Sequence, residues 1–251
     1  MIDEVKRVLV APELLDAVRN NMDGHHLENH VKRLIGVGAI SAPDARQLSK
    51  QLLGICREDA DRVFYQLGDP ARKVLSLLLP LHPQPVWNGI AKKLASRSWH
   101  ARFYVRNLLA IHNGFDGDHL GRGLGIDIPA AQFLEWVRAK PGKRAVTAVD
   151  WLPIAERDTN GTLSWHKELE AYVAEFGDAP GVLEAITSRL HPKSWSGGLA
   201  PYLEPIVPLV QTWVGHQNPA VRDWASKQIE LLMSSIRAER KRSEEDVVRY
   251  L

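Results

Sequence analysis

Three prolines set the strongest constraint on this fold. Pro141, Pro180 and Pro219 stand 39 residues apart, and each heads an apolar-periodic stretch: PGKRAVTAVDWL, PGVLEAITSRL and PAVRDWASKQIELL. Proline suits the first turn of a helix, where its missing N–H removes no hydrogen bond. A helix start that recurs at a fixed step signals a helical repeat with one supersecondary unit per period. Repeat architectures of this kind mostly bind partners along their stacked units.

The pattern around the prolines supports an all-α chain. Residues 141–152, 164–176, 180–190, 201–214 and 219–240 each read as a helix between Gly or Pro punctuation. They pair as an outer helix, a turn and an inner helix headed by the periodic proline. Upstream, 86–96 and 99–112 read as short amphipathic helices, Pro70 opens another, and 129–139 resumes the pattern after a glycine-rich stretch. No Asn-Gly or Asp-Gly pair is flanked by alternating β-branched residues, so no strand is expected. One step back from Pro141 falls on Arg102, inside 99–112, so the period reaches the N-terminal half in weakened form. Two regions are expected. Residues 1–128 form a less regular helical part, with a basic segment at 70–115 and a Gly-rich loop at 114–127. Residues 129–251 form regular repeats ending in a charged helix.

The last unit carries a resemblance. Its second helix reads HQNPAVRDWASKQIELLMSSI, and its first, PYLEPIVPLVQTWV, is broken by Pro201, Pro205 and Pro208. A kinked first helix paired with an N-P-x-V-R second helix resembles HEAT repeats. The resemblance implies a right-handed superhelix of antiparallel helix pairs, about five or six units here. It also implies that the arginine, Arg222, meets an acid of a neighbouring repeat in a stacking ladder. Arg144 holds the matching place after Pro141, while Leu183 breaks the ladder after Pro180. More loosely, the order SWSG, HxNPxVRxWA and a charged final helix over 129–245 is similar to the C-terminal helical-repeat region of large bacterial NACHT/STAND-type proteins of anti-phage defence. That resemblance implies a sensing or scaffolding segment with no catalytic motif of its own.

Composition narrows the rest. At 45% hydrophobic and 25% charged, the chain can bury a large core. Cys56 is the sole cysteine, which excludes a disulfide or multi-thiolate site within one chain and fits a reducing cytoplasm. The N-terminus lacks a secretory pattern, and no apolar run approaches a membrane span.

Charge placement is uneven. Between Asp69 and Asp116 there is no acid and there are seven bases: Arg72, Lys73, Lys92, Lys93, Arg97, Arg102 and Arg106. Random placement would put about five or six acids in such a window. Trp87, Trp99, Phe103 and Tyr104 are interleaved with these bases. Two readings fit. The aromatics belong to the core beneath a solvated basic face, or bases and aromatics together hold phosphates and stack on bases. Lys92, Lys93, Arg97, Arg102 and Arg106 are the residues expected to form one positive, partner- or phosphate-binding patch.

Other constellations are weaker. GRGLG at 121–125 lacks the strand and spacing of a nucleotide fingerprint, and Asp116 and Asp118 lack a calcium-loop pattern. In the cluster His25, His26 and His30, His26 and His30 are four apart and could face one way on a helix, but there is no H-E-x-x-H pattern and no third ligand joins that pair. No metal or cofactor is expected, and no nucleophile elbow or Ser-His-acid order is found. The leading expectation is a non-enzymatic scaffold or sensor segment that binds another protein or a domain of its own parent chain. The alternatives are a nucleic-acid-binding HEAT-like protein and, behind it, a base-excising glycosylase resting on the pair Asp150–Trp151.

Overall fold

Capping chemistry and glycine turns decide where this chain starts and stops its helices. The structure, a computed structural model, describes residues 24–54, 70–110, 124–192 and 195–249. In the first part, α1 spans Gly24–Gly36, α2 Ala42–Leu52, α3 residues 70–78, α4 Pro83–Leu94 and α5 Trp99–Leu109. A 3-10 turn at Leu124–Asp127 precedes α6, Ala130–Arg138. Then follow α7 (Pro141–Val149), β1 (Ala155–Arg157), β2 (Leu163–Trp165), α8 (Lys167–Phe176), α9 (Val182–Leu190), α10 (Ala200–Leu203), α11 (Ile206–Gln211), a 3-10 turn (Thr212–Gly215) and α12 (Pro219–Arg249). Among the described residues the fold is thus all-α but for one small hairpin, and its helices pack in pairs. Two compact units emerge, the first ending at Trp136 and the second beginning its helical part at Val137.

In the first unit, α2 packs on α4 and α4 on α5. Ser41 caps α2 through a capping box with Asp44: the Asp44 N–H donates to Ser41 Oγ at 3.4 Å, and the Ser41 N–H donates to Asp44 Oδ2 at 3.0 Å. Leu48, Leu52, Val74, Leu75, Ile90, Val105 and Leu109 are buried core. Gly89 sits where a Cβ would come within 3.2 Å of Leu53 Cδ1, so the missing side chain lets α4 approach the end of α2. The Tyr104 hydroxyl donates to the Leu52 carbonyl at 3.3 Å and ties α5 to the same point. Ser76 Oγ donates to Asp127 Oδ2 at 2.6 Å, which pins the 3-10 turn against α3.

In the second unit the inner helices run in series, because α9 touches both α7 and α12. Pro141 and Pro219 open α7 and α12, as the period predicts. Pro180 does not open α9. It stands in the preceding turn, and Gly181 takes the N-cap at φ +87°, a left-handed conformation that glycine adopts without a Cβ penalty. The expected outer helix 201–214 is split into α10, α11 and a 3-10 turn. Pro201 lies in the first turn of α10, Pro205 caps α11, and Pro208 lies in the first turn of α11.

The hairpin corrects the expectation of no strands, and it delays α8 to Lys167. β1 and β2 pair antiparallel, with Ala155 opposite Trp165 and Arg157 opposite Leu163. Asp158 organises the loop between them: its Oδ1 accepts from the N–H groups of Asn160 and Thr162, both at 2.8 Å. Gly161 follows at φ +81°. Trp165 at the end of β2 is buried and stacks on Trp213, with ring centroids 4.0 Å apart and planes 16° apart. Its Nε1 donates to Thr212 Oγ1 at 3.0 Å. Trp224 closes the cluster, 5.7 Å from Trp213, and donates through Nε1 to Thr187 Oγ1 at 2.9 Å.

Candidate functional site

The bend from α4 to α5 is built by side chains turned back on the main chain. The α4 helix ends at Leu94, where the N–H of Ala95 reaches the Ala91 carbonyl and that of Ser96 the Lys93 carbonyl at 3.0 Å. Ser98 caps α5, its Oγ accepting from the Ala101 N–H at 3.3 Å. Arg102 then folds over the bend: one Nη1 donates to the Ser96 carbonyl at 2.6 Å and to the Arg97 carbonyl at 2.9 Å. Arg97 therefore lies in the bend between the two helices.

This geometry gathers the end of α4 and the first turns of α5 at one corner. Lys92 and Arg97 are exposed and Lys93 half-exposed, and among the described residues no carboxylate pairs with any of the three. Arg106 is exposed one turn beyond Arg102. Arg102 differs from the rest, since its guanidinium is held by the two carbonyls.

The interleaved aromatics split between the two readings. Trp87 and Tyr104 are core, at 5% exposure each, and Trp87 meets Trp136 edge-on at 6.4 Å. Trp99 and Phe103 are not core: they are 58% and 47% exposed. Their rings stack on one another, 4.8 Å apart and 15° from parallel, with His100 edge-on to Trp99. The buried face of α5 is Ala101, Tyr104, Val105, Leu108 and Leu109, which leaves Trp99, Phe103 and Arg106 on the outer face at i, i+4 and i+7. Trp195, in the SWSGG segment, is the other strongly exposed tryptophan among the described residues. It is exposed at 51%, and Trp99 exceeds it.

Arg222, one of the two arginines assigned to repeat stacking, turns onto the main chain of its own repeat. Arg222 does not reach an acid of another repeat: its Nη1 donates to the carbonyls of His216 at 2.9 Å and Gln217 at 3.0 Å, in the loop that feeds its own helix. Those oxygens lie within reach of the first turn, so the side chain satisfies them locally. Arg144 sits half-buried in the first turn of α7, its N–H donating to the Lys140 carbonyl at 3.2 Å. The residue that joins neighbouring inner helices is Arg189, which sequence reading missed. From the end of α9 its Nη1 donates to the carbonyls of Val149 and, at 2.6 Å, of Leu152, at the C-terminal end of α7. Burial pushes its guanidinium down to about 10, with Asp150 pulling the other way, so it is charged at neutral pH and helix-end carbonyls receive the charge.

Asp150 thus caps α7 beside Arg189 and is half-buried, and Trp151 next to it is fully buried. Cys56, the glycines at 114–123, Asp116 and Asp118 lie outside the described residues, as does the side chain of His26. Among the described residues no group of three or more His, Cys, Asp or Glu could hold a metal ion, and no helix is long and apolar enough to cross a membrane.

No family model and no curated protein matches this chain. Among solved structures, it is similar to the archaeal HEAT-like repeats protein from Thermococcus onnurineus NA1. The identity is 12% over 94% of this chain and 98% of that one, at a TM-score of 0.26, which adds nothing to the fold read from the packed helix pairs themselves.

Proposed function

We propose that this chain is a non-enzymatic interaction module of packed helix pairs whose working surface is the α4–α5 corner. One observation carries the reading: Trp99 and Phe103 are stacked and half-exposed within a segment that has seven bases and no acid. Large aromatics left open to water beside Lys92, Lys93 and Arg97, with which no carboxylate among the described residues pairs, are what a binding surface offers, because burying them on a partner recovers their apolar area. In the second unit, by contrast, Arg189 and Arg222 bond main-chain carbonyls, and Trp151, Trp165 and Trp213 are buried. A role as a sensing segment in a bacterial defence or regulatory system rests on the sequence resemblance of residues 129–245 alone. Two ligand chemistries suit a basic, aromatic surface: an acidic protein face, and a nucleic acid.

The test is recovery from the native host. The chain should retain a stoichiometric macromolecular partner that the Trp99→Ala/Phe103→Ala variant loses, while far-UV circular dichroism and melting stay unchanged. Equal recovery by both proteins would overturn the assignment of the surface.

A further inference from the structure

We infer that the ligand of the Trp99–Phe103 surface is single-stranded nucleic acid, an assignment that rests on the reading of the α4–α5 corner as the working surface. Two independent features point to it. The first is the arrangement of the rings. They are near parallel at 15° and 4.8 Å, so they present a flat face on which a further planar ring can continue the stack. A nucleobase is such a ring, and every base has a π-face. An acidic protein face would answer the charge of this corner but has no use for a ready-made stack.

The second feature is the placement of charge around the rings. Lys92 and Arg97 are exposed, Lys93 is half-exposed, and no carboxylate among the described residues competes for the three of them. Arg106 continues the exposed stripe of Trp99 and Phe103 along α5. Trp99 to Arg106 spans seven residues of helix, about 10 Å at 1.5 Å per residue. Bases on the rings and phosphates on the flanking cations therefore fall within one short stretch of strand. Duplex DNA offers the phosphates but keeps its bases stacked on each other, so it would meet only the cations. Arg102 adds rigidity rather than charge, since it is clamped across the bend by two main-chain oxygens.

Fluorescence anisotropy of the full chain with fluorescein-labelled dT20, rU20 and a 20-base-pair duplex, at several salt concentrations, tests this. Both single strands should bind more tightly than the duplex. Trp99→Ala and Phe103→Ala should each weaken single-strand binding by about 5- to 100-fold. Trp195→Ala, an exposed tryptophan in the other unit, should leave it unchanged. Replacing Lys92 and Arg97 with Gln should lower the slope of log affinity against log salt by about 1.4, at about 0.7 per lost phosphate contact. The inference falls if dT20 and rU20 fail to bind at 50 mM salt. It also falls if binding ignores Trp99 and Phe103, if the duplex binds as well as the single strands, or if polyglutamate binds in their place with the same dependence on Trp99. In each of those cases, loss of the host partner by the Trp99→Ala/Phe103→Ala variant would still uphold the surface itself, so the two readings fail separately.

Discussion

Arg102 and Arg222 make the same pair of main-chain hydrogen bonds in two different units of the chain. Each donates through Nη1 to the carbonyls six and five residues before it: Ser96 and Arg97 in one case, His216 and Gln217 in the other. The match extends to the cap. The N–H of Ser98 donates to Ser96 Oγ at 3.2 Å, and that of Asn218 donates to His216 Nδ1 at 3.1 Å. The side chains of Ser98 and Asn218 then accept from the first turns of α5 and α12. A bend, a cap and an arginine one turn later form one local device that aims an inner helix.

The device should carry stability. Arg222→Ala strips a charged donor from two carbonyls that lie near the packed start of α12, and a loss of about 1–3 kcal/mol is expected. Arg222→Lys should recover only part of it, since an ammonium lacks the planar fork of a guanidinium. Urea unfolding, compared at equal m-values, measures both.

Arg189 makes the contact between repeats, so its removal should cost more than loss of an exposed arginine. Arg189→Met keeps the stem and removes the donors to Val149 and Leu152; a loss of about 3 kcal/mol is expected. Hydrogen exchange should show faster opening at the α7 C-terminus specifically, and a uniform effect across the second unit would argue against the contact.

Two glycines of the second unit differ in what a side chain would cost: crowding alone at Gly177, and backbone strain joined to a 3.0 Å approach to Val146 Cγ2 at Gly181. At Gly177 the backbone is ordinary, with φ −65°, but an added Cβ would lie 2.5 Å from the Val173 carbonyl and 2.9 Å from Val221 Cγ2. Gly177→Ala should cost about 1–3 kcal/mol through overpacking. At Gly181, φ +87° penalises any Cβ, and alanine there should cost about 1–2 kcal/mol. The alternative Gly181→Asn should be milder than alanine, while Gly177→Asn should be worse. Thermal melts of the four variants give the ordering.

Arg138 and Glu175 form a bidentate pair at 2.5 and 2.6 Å that holds the end of α6 to α8. The guanidinium holds the Glu175 carboxyl below its usual 4.5. The unfolded chain therefore takes up the proton first as pH falls. The pair's contribution is complete above about pH 4.5 and is lost as pH drops through the lower folded value. Both side chains are solvent-exposed, so the effect is small and salt-sensitive. The melting difference between the wild type and Glu175→Gln should be visible at pH 7 and low salt, and should shrink as the pH is taken down below 4.5.

Helix identity was legible because burial on α7, α9 and α12 follows the helical period, and Pro141 and Pro219 mark true starts. Pro180 misled because Pro-Gly reads as a helix opening until the positive φ of Gly181 moves the start onward. The hairpin escaped because three-residue strands are too short to show alternation, although Asn160-Gly161 sits at its turn. At the candidate site, the basic run was plain from the sequence. The exposure of Trp99 and Phe103 was not, since an i, i+4 aromatic pair looks like a core face. Only the competing stripe of Tyr104, Val105 and Leu108 decides which side turns inward.

The steps from Pro141 to Pro180 and from Pro180 to Pro219 are equal, yet they enclose different parts. The first holds a hairpin and one continuous helix, and the second holds an open loop and a helix broken in three. The equal steps thus mark successive inner helices, while the outer layer between them differs in structure. That layer is where sequence can be exchanged. The tip of the hairpin, Asp158 to Thr162, is exposed throughout and far in sequence from the basic corner. A fluorophore, an affinity tag or a small inserted domain placed there should be carried without shifting any inner helix, which makes it the natural handle for immobilising the protein.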